Sequence, residues 1–332
     1  MAPSDRSQSS EPRLTRHPDG ITAVDAEYIR TGLAAAHIIH EKGRAAFVDT
    51  GTNDSVPYLL SALDELGIPH DAVEYVFLTH VHLDHAGGAG LLLRYLANAR
   101  AVIHPRGVQH LLDPTKLVLA SIAVYGESQF KKLYGDLVPL PVERVVIAED
   151  KQKFFLADRE LEIIHTPGHA LHHYAIVDRA HGNVFTGDTF GISYREMDTD
   201  QGAFIVATTT PSQFDPDQLV ASIERIESYA PSAAYLMHYS RVTDIPRLAA
   251  DLKKDVRELA RVARSRAGSP NLFKEIAADI RAMWIDRARK HGCNLSDESF
   301  DAVLGNDVEL NTQGLEVWLQ RLESSASKRS KP

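Results

Sequence analysis

Cysteine is scarce in this chain of 332 residues, in which Cys293 is the single example. An internal disulfide is therefore excluded, and the composition fits a reducing compartment, so we expect a cytoplasmic protein. No apolar run reaches the roughly 18 residues of a membrane-spanning helix. Residues 1–20 are polar and lack the apolar stretch of a secretory signal, so they are predicted to form a flexible N-terminal tail. We expect no membrane partner.

Positive charge is also in deficit. The chain has 36 Lys and Arg residues against 45 Asp and Glu residues, a formal net charge of −9. A negative surface repels phosphate backbones, which disfavours nucleic acid as a partner. Hydrophobic residues make up 44% of the chain, enough for a large core. The composition is typical of a soluble enzyme.

Histidine, by contrast, is concentrated in one place. The run Thr79-His80-Val81-His82-Leu83-Asp84-His85-Ala86-Gly87-Gly88 holds three imidazoles and a carboxylate within six residues. These side chains bind divalent first-row metals. Residues 74–79 are predicted to form a buried strand and residues 86–96 a helix. His80 and His82, two apart in an extended chain, point the same way. The run therefore predicts a metal site at a strand-to-helix turn.

Three later segments each end an apolar strand on a metal-binding side chain. His169 follows a strand and a Pro-Gly turn, Asp188 follows the short strand that begins at Asn183, and His238 follows the strand that begins at Ala233. Loops at strand ends gather over a rigid sheet, where binding residues are often found. These three side chains are therefore candidates to complete the site.

This ordered series resembles the metallo-β-lactamase fold superfamily over residues 21–245, including its early element Ala46-Phe47-Val48-Asp49-Thr50-Gly51. The resemblance implies an α/β protein, a four-layer αββα sandwich of metallo-β-lactamase type. It also implies that Asp49 orients the ligand loop. The implied ligands are His80, His82 and His169 for one metal, Asp84, His85 and His238 for a second, and Asp188 as a bridge between the two.

The same resemblance narrows the branch. The commonest lactamases use a thiolate ligand, whereas this chain has Asp188 in the corresponding motif and its Cys293 far away. The flavin-linked diiron reductases have a glutamate where this chain has His82, and the nuclease branch carries an added domain that is missing here. What remains resembles the glyoxalase II and lactonase-like hydrolases, although the basic residues that bind glutathione have no recognisable counterpart.

The resemblance implies a dinuclear hydrolase with two divalent ions, with zinc expected and iron or manganese as alternatives. A metal-bridging hydroxide would attack an ester, lactone or thioester, and Asp84 would transfer the proton. Tyr194 is a candidate to hydrogen-bond a substrate oxygen, by analogy with lactonases. The alternatives are a metal-containing ligand-binding or regulatory protein with little turnover, a phosphodiester hydrolase, and a mononuclear iron redox site.

Two regions outside the metal motifs are predicted to be helical. A helical insertion at about 105–150 has apolar faces that could roof the metals. A C-terminal helical subdomain at 246–325 is a candidate dimer contact, pocket wall or packing appendage. Within it we expect helices at 251–266, 271–291, 296–305 and 312–322. Among the other histidines, His173 is expected to support the ligands, whereas His37, His40, His104, His165 and His172 are expected to be structural or exposed.

Overall fold

The computed structural model describes residues 13–209 and 213–329. The chain divides into two compact units. The first comprises the residues up to Leu78 together with His82–Val102 and Gln109–Val146. The second comprises Thr79–Val81, Ile103–Val108 and the chain from Ile147 onward. Most of the predicted N-terminal tail, residues 1–12, lies outside the described residues.

A seven-stranded sheet contains the N-terminal strands. Leu14–Arg16, which lies within the predicted tail, pairs with Thr22–Val24 and so forms the edge strand. The first four strands pair in antiparallel fashion, and the fourth and fifth are parallel. Across the sheet the strands follow chain order: β1 (Leu14–Arg16), β2 (Ile21–Asp25), β3 (Ala35–Glu41), β4 (Arg44–Val48), β5 (Val73–Leu78), β6 (Arg100–Ile103) and β7 (Val145–Ile147).

A six-stranded sheet lies in the second unit. Across the sheet the order is β13-β12-β11-β10-β9-β8. Its strands are β8 (Lys153–Leu156), β9 (Arg159–His165), β10 (Tyr174–Asp178), β11 (Asn183–Phe185), β12 (Ala233–Leu236) and β13 (Ser240–Val242). Because β10 runs antiparallel to both neighbours while β11 and β12 are parallel, the carboxyl ends of β9, β11 and β12 share one edge with the amino end of β10. The loop that joins β9 to β10 and the loops after β11 and β12 therefore meet at this edge.

The helix predicted at 86–96 is instead two short helices interrupted by Gly87 and Gly88. At Gly88 the backbone approaches the loop after β4 so closely that a Cβ atom would lie 2.6 Å from the Thr52 carbonyl oxygen. The helices before β7 are α1 (Val56–Leu66), α2 (Leu83–Ala86), α3 (Ala89–Leu93), α4 (Val108–Leu112), α5 (Thr115–Tyr125) and α6 (Glu127–Tyr134). Single 3-10 turns occur at Asn53–Ser55, His70–Ala72, Val142–Arg144 and Arg195–Met197.

The C-terminal region is helical, but with fewer helices than predicted. Its helices are α8 (Ile245–Arg266), α9 (Leu272–Lys290) and α10 (Asp297–Arg329), preceded by α7 (Pro216–Glu227). The two helices predicted at 296–305 and 312–322 are one continuous helix, so this prediction is wrong. Gly305 costs only about 1 kcal/mol inside a helix. Buried apolar side chains lie on both sides of the predicted break, among them Leu304, Val308 and Leu315, and their burial stabilises one continuous helix. Within the described residues, no helix is long and apolar enough to cross a membrane.

Cys293 lies in the turn between α9 and α10. Its backbone N–H donates to the Ala288 carbonyl at 2.9 Å and so ends α9. The residue is a free cysteine, and only 6% of its surface is exposed. The thiol is therefore enclosed by the helices on either side of the turn.

His37 is a buried histidine in the first sheet. It lies on β3, paired with Ala23 on β2 and Val48 on β4, and it is 2% exposed. Burial, and to a lesser extent the nearby His17, lowers the pKa of His37 to about 3. The side chain is therefore neutral in the folded protein at every pH above about 3. This agrees with the structural role expected for it.

Replacing His37 with Gln is expected to weaken the acid sensitivity of folding. The imidazole binds a proton in the unfolded chain below its ordinary pKa of 6.5 but in the folded chain only below about 3, so folding stability falls as pH falls through this window. The loss attributable to His37 is about 1.4 kcal/mol per pH unit. Denaturant unfolding at pH 7 and pH 4.5 measures it. His40→Gln, on the exposed end of the same strand, is the control and should keep the wild-type slope.

Candidate metal centre

Three predicted ligands lie at the shared edge of the second sheet. His169 follows the turn at Pro167 and Gly168, where a Cβ atom on the glycine would lie 2.2 Å from the backbone of Leu219. Asp188 follows β11, and His238 follows the parallel strand β12. Because parallel neighbours end at the same edge, the loops after β11 and β12 bring these two side chains together.

The carboxylate of Asp188 is the centre of this group. Its Oδ2 atom lies 3.3 Å from His169 Nε2 and 4.0 Å from His80 Nε2. Its Oδ1 atom lies 3.9 Å from His238 Nε2. All four residues are at least 94% buried. One oxygen therefore faces two imidazoles and the other oxygen faces a third, which is the arrangement of a carboxylate that bridges two cations.

His80 reaches this group because residues 79–81 are attached to the second unit. The N–H of Tyr174, at the start of β10, donates to the Thr79 carbonyl at 2.8 Å. The N–H of Val81 donates to His172 Nδ1 at 3.4 Å. The rings of His80 and His169 meet edge to face with centroids 5.0 Å apart. His172 is thus a buried structural residue that anchors the ligand run.

His173 contacts the backbone of the central carboxylate residue. Its Nε2 atom accepts the Asp188 N–H at 3.2 Å, which assigns the ring proton to Nδ1. Nδ1 lies 2.8 Å from the Thr166 hydroxyl and 3.1 Å from the Thr189 hydroxyl. Gly187, with φ of 47°, leaves the space that this ring occupies, since a Cβ there would lie 2.7 Å from His173 Nε2. The fully buried imidazole fixes the backbone that carries Asp188.

The first unit contributes a second group of ligand types. His85, which is fully buried on α2, has Nδ1 2.9 Å from the Asp49 carboxylate, as a donor to an anion. Its Nε2 atom lies 3.8 Å from Asp84 Oδ2. The backbone of His85 is tied to the same loop, because its carbonyl accepts the Thr50 N–H at 2.7 Å. The hydrogen bond from Nδ1 to Asp49 therefore fixes the orientation of the ring, with Nε2 directed toward Asp84.

These donors suit a divalent metal. In the second unit, ligand atoms of His80, His169 and Asp188 lie within 4.8 Å of one another, and in the first unit the same holds for Asp84 and His85. Imidazole nitrogens with carboxylate oxygens and no thiolate form sites for zinc, iron or manganese. The ring nitrogens opposite the ligand atoms of His85 and His169 are hydrogen-bonded to Asp49 and to the Thr208 carbonyl, as metal-binding histidines usually are.

Tyr194 is 3% exposed, and its hydroxyl donates to Asp307 Oδ1 on α10 at 3.4 Å. The structure thus gives the side chain a contact in the C-terminal helices. Its proposed bond to a substrate oxygen stays a prediction.

Two further histidines, outside the ligand group, pack against each other. The rings of His104 and His165 have centroids 4.1 Å apart. Burial lowers the pKa of His104 to about 4, and the neighbouring His165 adds to the effect. His165 Nε2 donates to the Ala148 carbonyl at 2.8 Å, and the N–H of Arg106 donates to His104 Nδ1 at 3.1 Å. This pair is structural, as expected.

The sequence does not identify the residues that contact Nδ1 of His169, the ring nitrogen opposite its proposed ligand atom. His169 Nδ1 lies 3.2 Å from the Thr208 carbonyl oxygen. The backbone on either side of Thr208 is bonded to Asp255 and Asn311, which lie in the C-terminal helices. A backbone carbonyl leaves no residue type to recognise, and nothing in the sequence of a long helix identifies which polar residue faces a distant loop.

Most of the chain matches a known protein family. A family model described as the metallo-beta-lactamase superfamily matches residues 30–238. The metallo-beta-lactamase fold-containing protein ST1585 of Sulfurisphaera tokodaii is 26% identical over 210 residues, which span 62% of this chain and 72% of that protein. A hydroxyacylglutathione hydrolase of Aeromonas hydrophila is 29% identical over 153 residues, 46% of this chain and 44% of the relative.

Solved structures share the fold. The crystal structure of ST1585 from Sulfolobus tokodaii superimposes with a TM-score of 0.63 at 20% identity, covering 90% of this chain and 99% of that one. A metallo-beta-lactamase family protein from Thermus thermophilus gives 0.58 at 19% identity, covering 94% and 92%. The predicted fold class, with its C-terminal helical extension, is confirmed. On the ligand motifs, the family match and the shared fold, the chain belongs to the metallo-beta-lactamase superfamily.

Proposed function

We propose that the protein is a dinuclear metal-dependent hydrolase that cleaves an ester, lactone or thioester of a small organic molecule. One ion is assigned to His80, His82 and His169, the other to Asp84, His85 and His238, with Asp188 bridging both. The observation that carries the proposal is the geometry around Asp188. Its two oxygens face different imidazoles, His169 and His80 on one side and His238 on the other.

Chain continuity supports combining the two ligand groups. A single residue, Val81, separates His80 from His82, so their Cα atoms are at most about 7 Å apart whatever the arrangement of the two units. Asp84 and His85 follow within the next turn of helix. The covalent chain therefore limits how far His82, Asp84 and His85 can lie from His80.

When bound, two divalent ions lower the pKa of water and polarise the carbonyl oxygen of the substrate. The chain's own residues hold the ions and move the proton. Asp84 has 22% of its side chain exposed, whereas the side chain of His85 is fully buried. A partly exposed carboxylate can take a proton from the attacking water and deliver it to the leaving group, so we assign this role to Asp84.

The bond type is proposed from weaker observations. The one curated relative whose name states a reaction is the hydroxyacylglutathione hydrolase, and this chain spans less than half of its length. That relation favours a thioester. If the helical insertion roofs the metals as predicted, the apolar surface of α5 would favour an uncharged organic substrate, since Leu119 is 62% exposed and Leu117 and Ile122 are only half-buried.

Further expectations from composition belong to the same proposal. Zinc is favoured as the metal because all the assigned ligands are imidazoles and carboxylates that suit it. We also propose a cytoplasmic location, because a single cysteine fits a reducing compartment. A homodimer through the C-terminal helices stays a prediction, which the mass of the native protein in solution would test.

Metal analysis combined with a substrate panel tests the proposed function. We expect two divalent ions per chain and turnover of at least one member of a panel of aryl esters, lactones and thioesters. Bis(4-nitrophenyl) phosphate in the same panel tests the phosphodiester alternative. Removing the metal with a chelator should abolish turnover, and adding zinc should restore it.

Two results would contradict the proposal. Two ions per chain with no turnover in any class would favour a ligand-binding or regulatory protein. A mononuclear site would be indicated if the protein bound a single ion per chain and if replacing Asp84 or His238 left that metal content unchanged.

A further inference from the structure

The segment from Phe204 to Thr209 has no helix or strand, yet it contacts a proposed metal ligand. Beyond an isolated bridge between Val206 and Ile192, the segment pairs with no strand. The Thr208 carbonyl lies 3.2 Å from His169 Nδ1. Because a carbonyl only accepts, Nδ1 carries the ring proton and Nε2 is the atom left to bind a metal. The position of this carbonyl therefore sets the orientation of the His169 ring.

One peptide N–H group on each side of Thr208 is held by a buried polar side chain of the C-terminal helices. The N–H of Ala207 donates to Asp255 Oδ2 on α8 at 2.8 Å. The N–H of Thr209 donates to Asn311 Oδ1 on α10 at 2.9 Å, and the Thr209 hydroxyl donates to the Asn311 carbonyl at 3.0 Å. Asp255 and Asn311 are each 1% exposed. Thr208 is thus fixed from both sides.

The side chains that hold the segment are themselves held. Asp255 accepts the indole N–H of Trp284 at 3.1 Å and forms an ion pair with Arg287, both on α9. Arg287 also donates to the Ile205 carbonyl at 2.9 Å. The Asn311 amide donates to the Asp307 carbonyl at 2.8 Å, one helical turn earlier. All three long helices therefore contribute to one network that ends at the Thr208 carbonyl.

We propose that the C-terminal helices orient His169 for metal binding through Thr208, with Asn311 and Asp255 as positioning residues. The inference rests on the proposed function, because it requires a metal at His169. A helical region that served only to cover the sheet would need apolar contacts alone. Here buried polar groups from two helices bind the backbone on both sides of the carbonyl that contacts a ligand.

Asn311→Ala tests the inference through metal affinity. We expect one of the two ions to bind about 10- to 100-fold more weakly, the range for lost contacts to the outer side of a metal ligand. The measurement is titration of the metal-free protein with Zn²⁺ against a competing chelator. Titration with Co²⁺ adds a spectrum that reports the geometry at each ion. In a His169→Ala background, Asn311→Ala should cause no additional loss.

Thr312→Val is the matched control. Thr312 is the next residue of α10, is fully buried, and donates its hydroxyl to the Val308 carbonyl at 2.7 Å within the helix. This variant loses a buried hydrogen bond without touching Thr209. It should keep the wild-type affinity for both ions. Equal affinities in Asn311→Ala and Thr312→Val would overturn the inference.

The outcomes separate this inference from the proposed function. If the wild-type protein binds no zinc, the proposed function fails. If it binds two ions and Asn311→Ala binds both as tightly, only the positioning role fails. Should Asn311→Ala not fold, Thr209→Val removes just the hydroxyl bond, and a loss of about two- to tenfold in the affinity of one ion is expected. Unchanged affinity in a folded Thr209→Val would then contradict the inference.

Discussion

Replacing Asp188 with Ala is expected to remove both metal ions and turnover together. Its two oxygens face different imidazoles, so no other residue can substitute for it. Without the carboxylate, three buried imidazoles remain with less negative charge to offset two cations. Replacing a residue that contacts a metal ligand typically lowers metal affinity or activity by about 10- to 100-fold. For Asp188, a proposed ligand itself, we expect a loss of at least about 100-fold. Metal content by mass spectrometry and hydrolysis rate measure it.

Asp200→Ala provides the comparison for Asp188→Ala. Asp200 is exposed in the turn that closes at Gly202, and its loss changes total charge by the same amount. The Asp200→Ala variant should bind two ions per chain and keep the wild-type rate of turnover. Asp188→Asn keeps the shape of the side chain but not its charge, and should fall between the two. If Asp188→Ala kept two ions per chain, the bridging assignment would be wrong.

Replacing Arg287 with Met is expected to produce the largest loss of stability. Arg287 forms the ion pair with Asp255, whose carboxylate is 1% exposed and lies among three helices and the 204–209 segment. Removing one partner leaves an uncompensated buried charge, which costs about 3–5 kcal/mol. The free energy of unfolding from denaturant titration at pH 7.5 measures the change.

The pH dependence identifies the cause. Burial raises the pKa of Asp255, and Arg287, the Ala207 N–H and Trp284 oppose that rise. Without Arg287 the folded pKa should rise further above that of the unfolded chain. The folded state then binds the extra proton, and stability falls as pH rises through this window. The deficit of Arg287→Met should therefore be smaller at pH 4.5 than at pH 7.5.

Arg289→Met is the control on the same helix. Arg289 is exposed and pairs with the exposed Asp297 at 2.8 Å, so its loss should cost at most about 1 kcal/mol and show no comparable pH dependence. The double variant of Asp255→Asn with Arg287→Met removes both charges and should recover part of the stability. A deficit independent of pH would show that lost packing, and not the buried carboxylate, explains the effect.

The candidate ligands could be proposed from the sequence because their chemistry is local. The run from His80 to His85 concentrates unusual side chains, and Asp188 and His238 each follow a short apolar strand. The strands themselves give no sign that β11 and β12 pair in parallel, the arrangement that puts those two strand ends side by side.

Element boundaries in the helical parts could not be predicted as well. Gly305 and Thr312 are local signals for a helix end and a helix start, and both lie inside α10. Burial of Leu304, Val308 and Leu315 on one face outweighs those local preferences. The sequence places Leu14–Arg16 in a tail because its neighbours are polar, and a strand of three residues gives no recognisable pattern. In the structure these residues form the edge of the sheet.

The support for the ligands depends on contacts between residues far apart in the chain. Asn311 bonds Thr209 from 102 positions away, and Asp255 bonds Ala207 from 48 positions away. Neither contact has a periodicity or a motif. Only the tertiary packing of α8 and α10 brings these polar side chains to the segment beside His169.

The enclosed thiol between α9 and α10 gives the C-terminal helices a built-in reporter. With Cys293 6% exposed and no second cysteine in the sequence, a thiol-reactive dye in bulk water reaches the sulfur only in molecules where these helices have parted. Labelling kinetics in native buffer therefore count local opening events of this region, without a background from any other site.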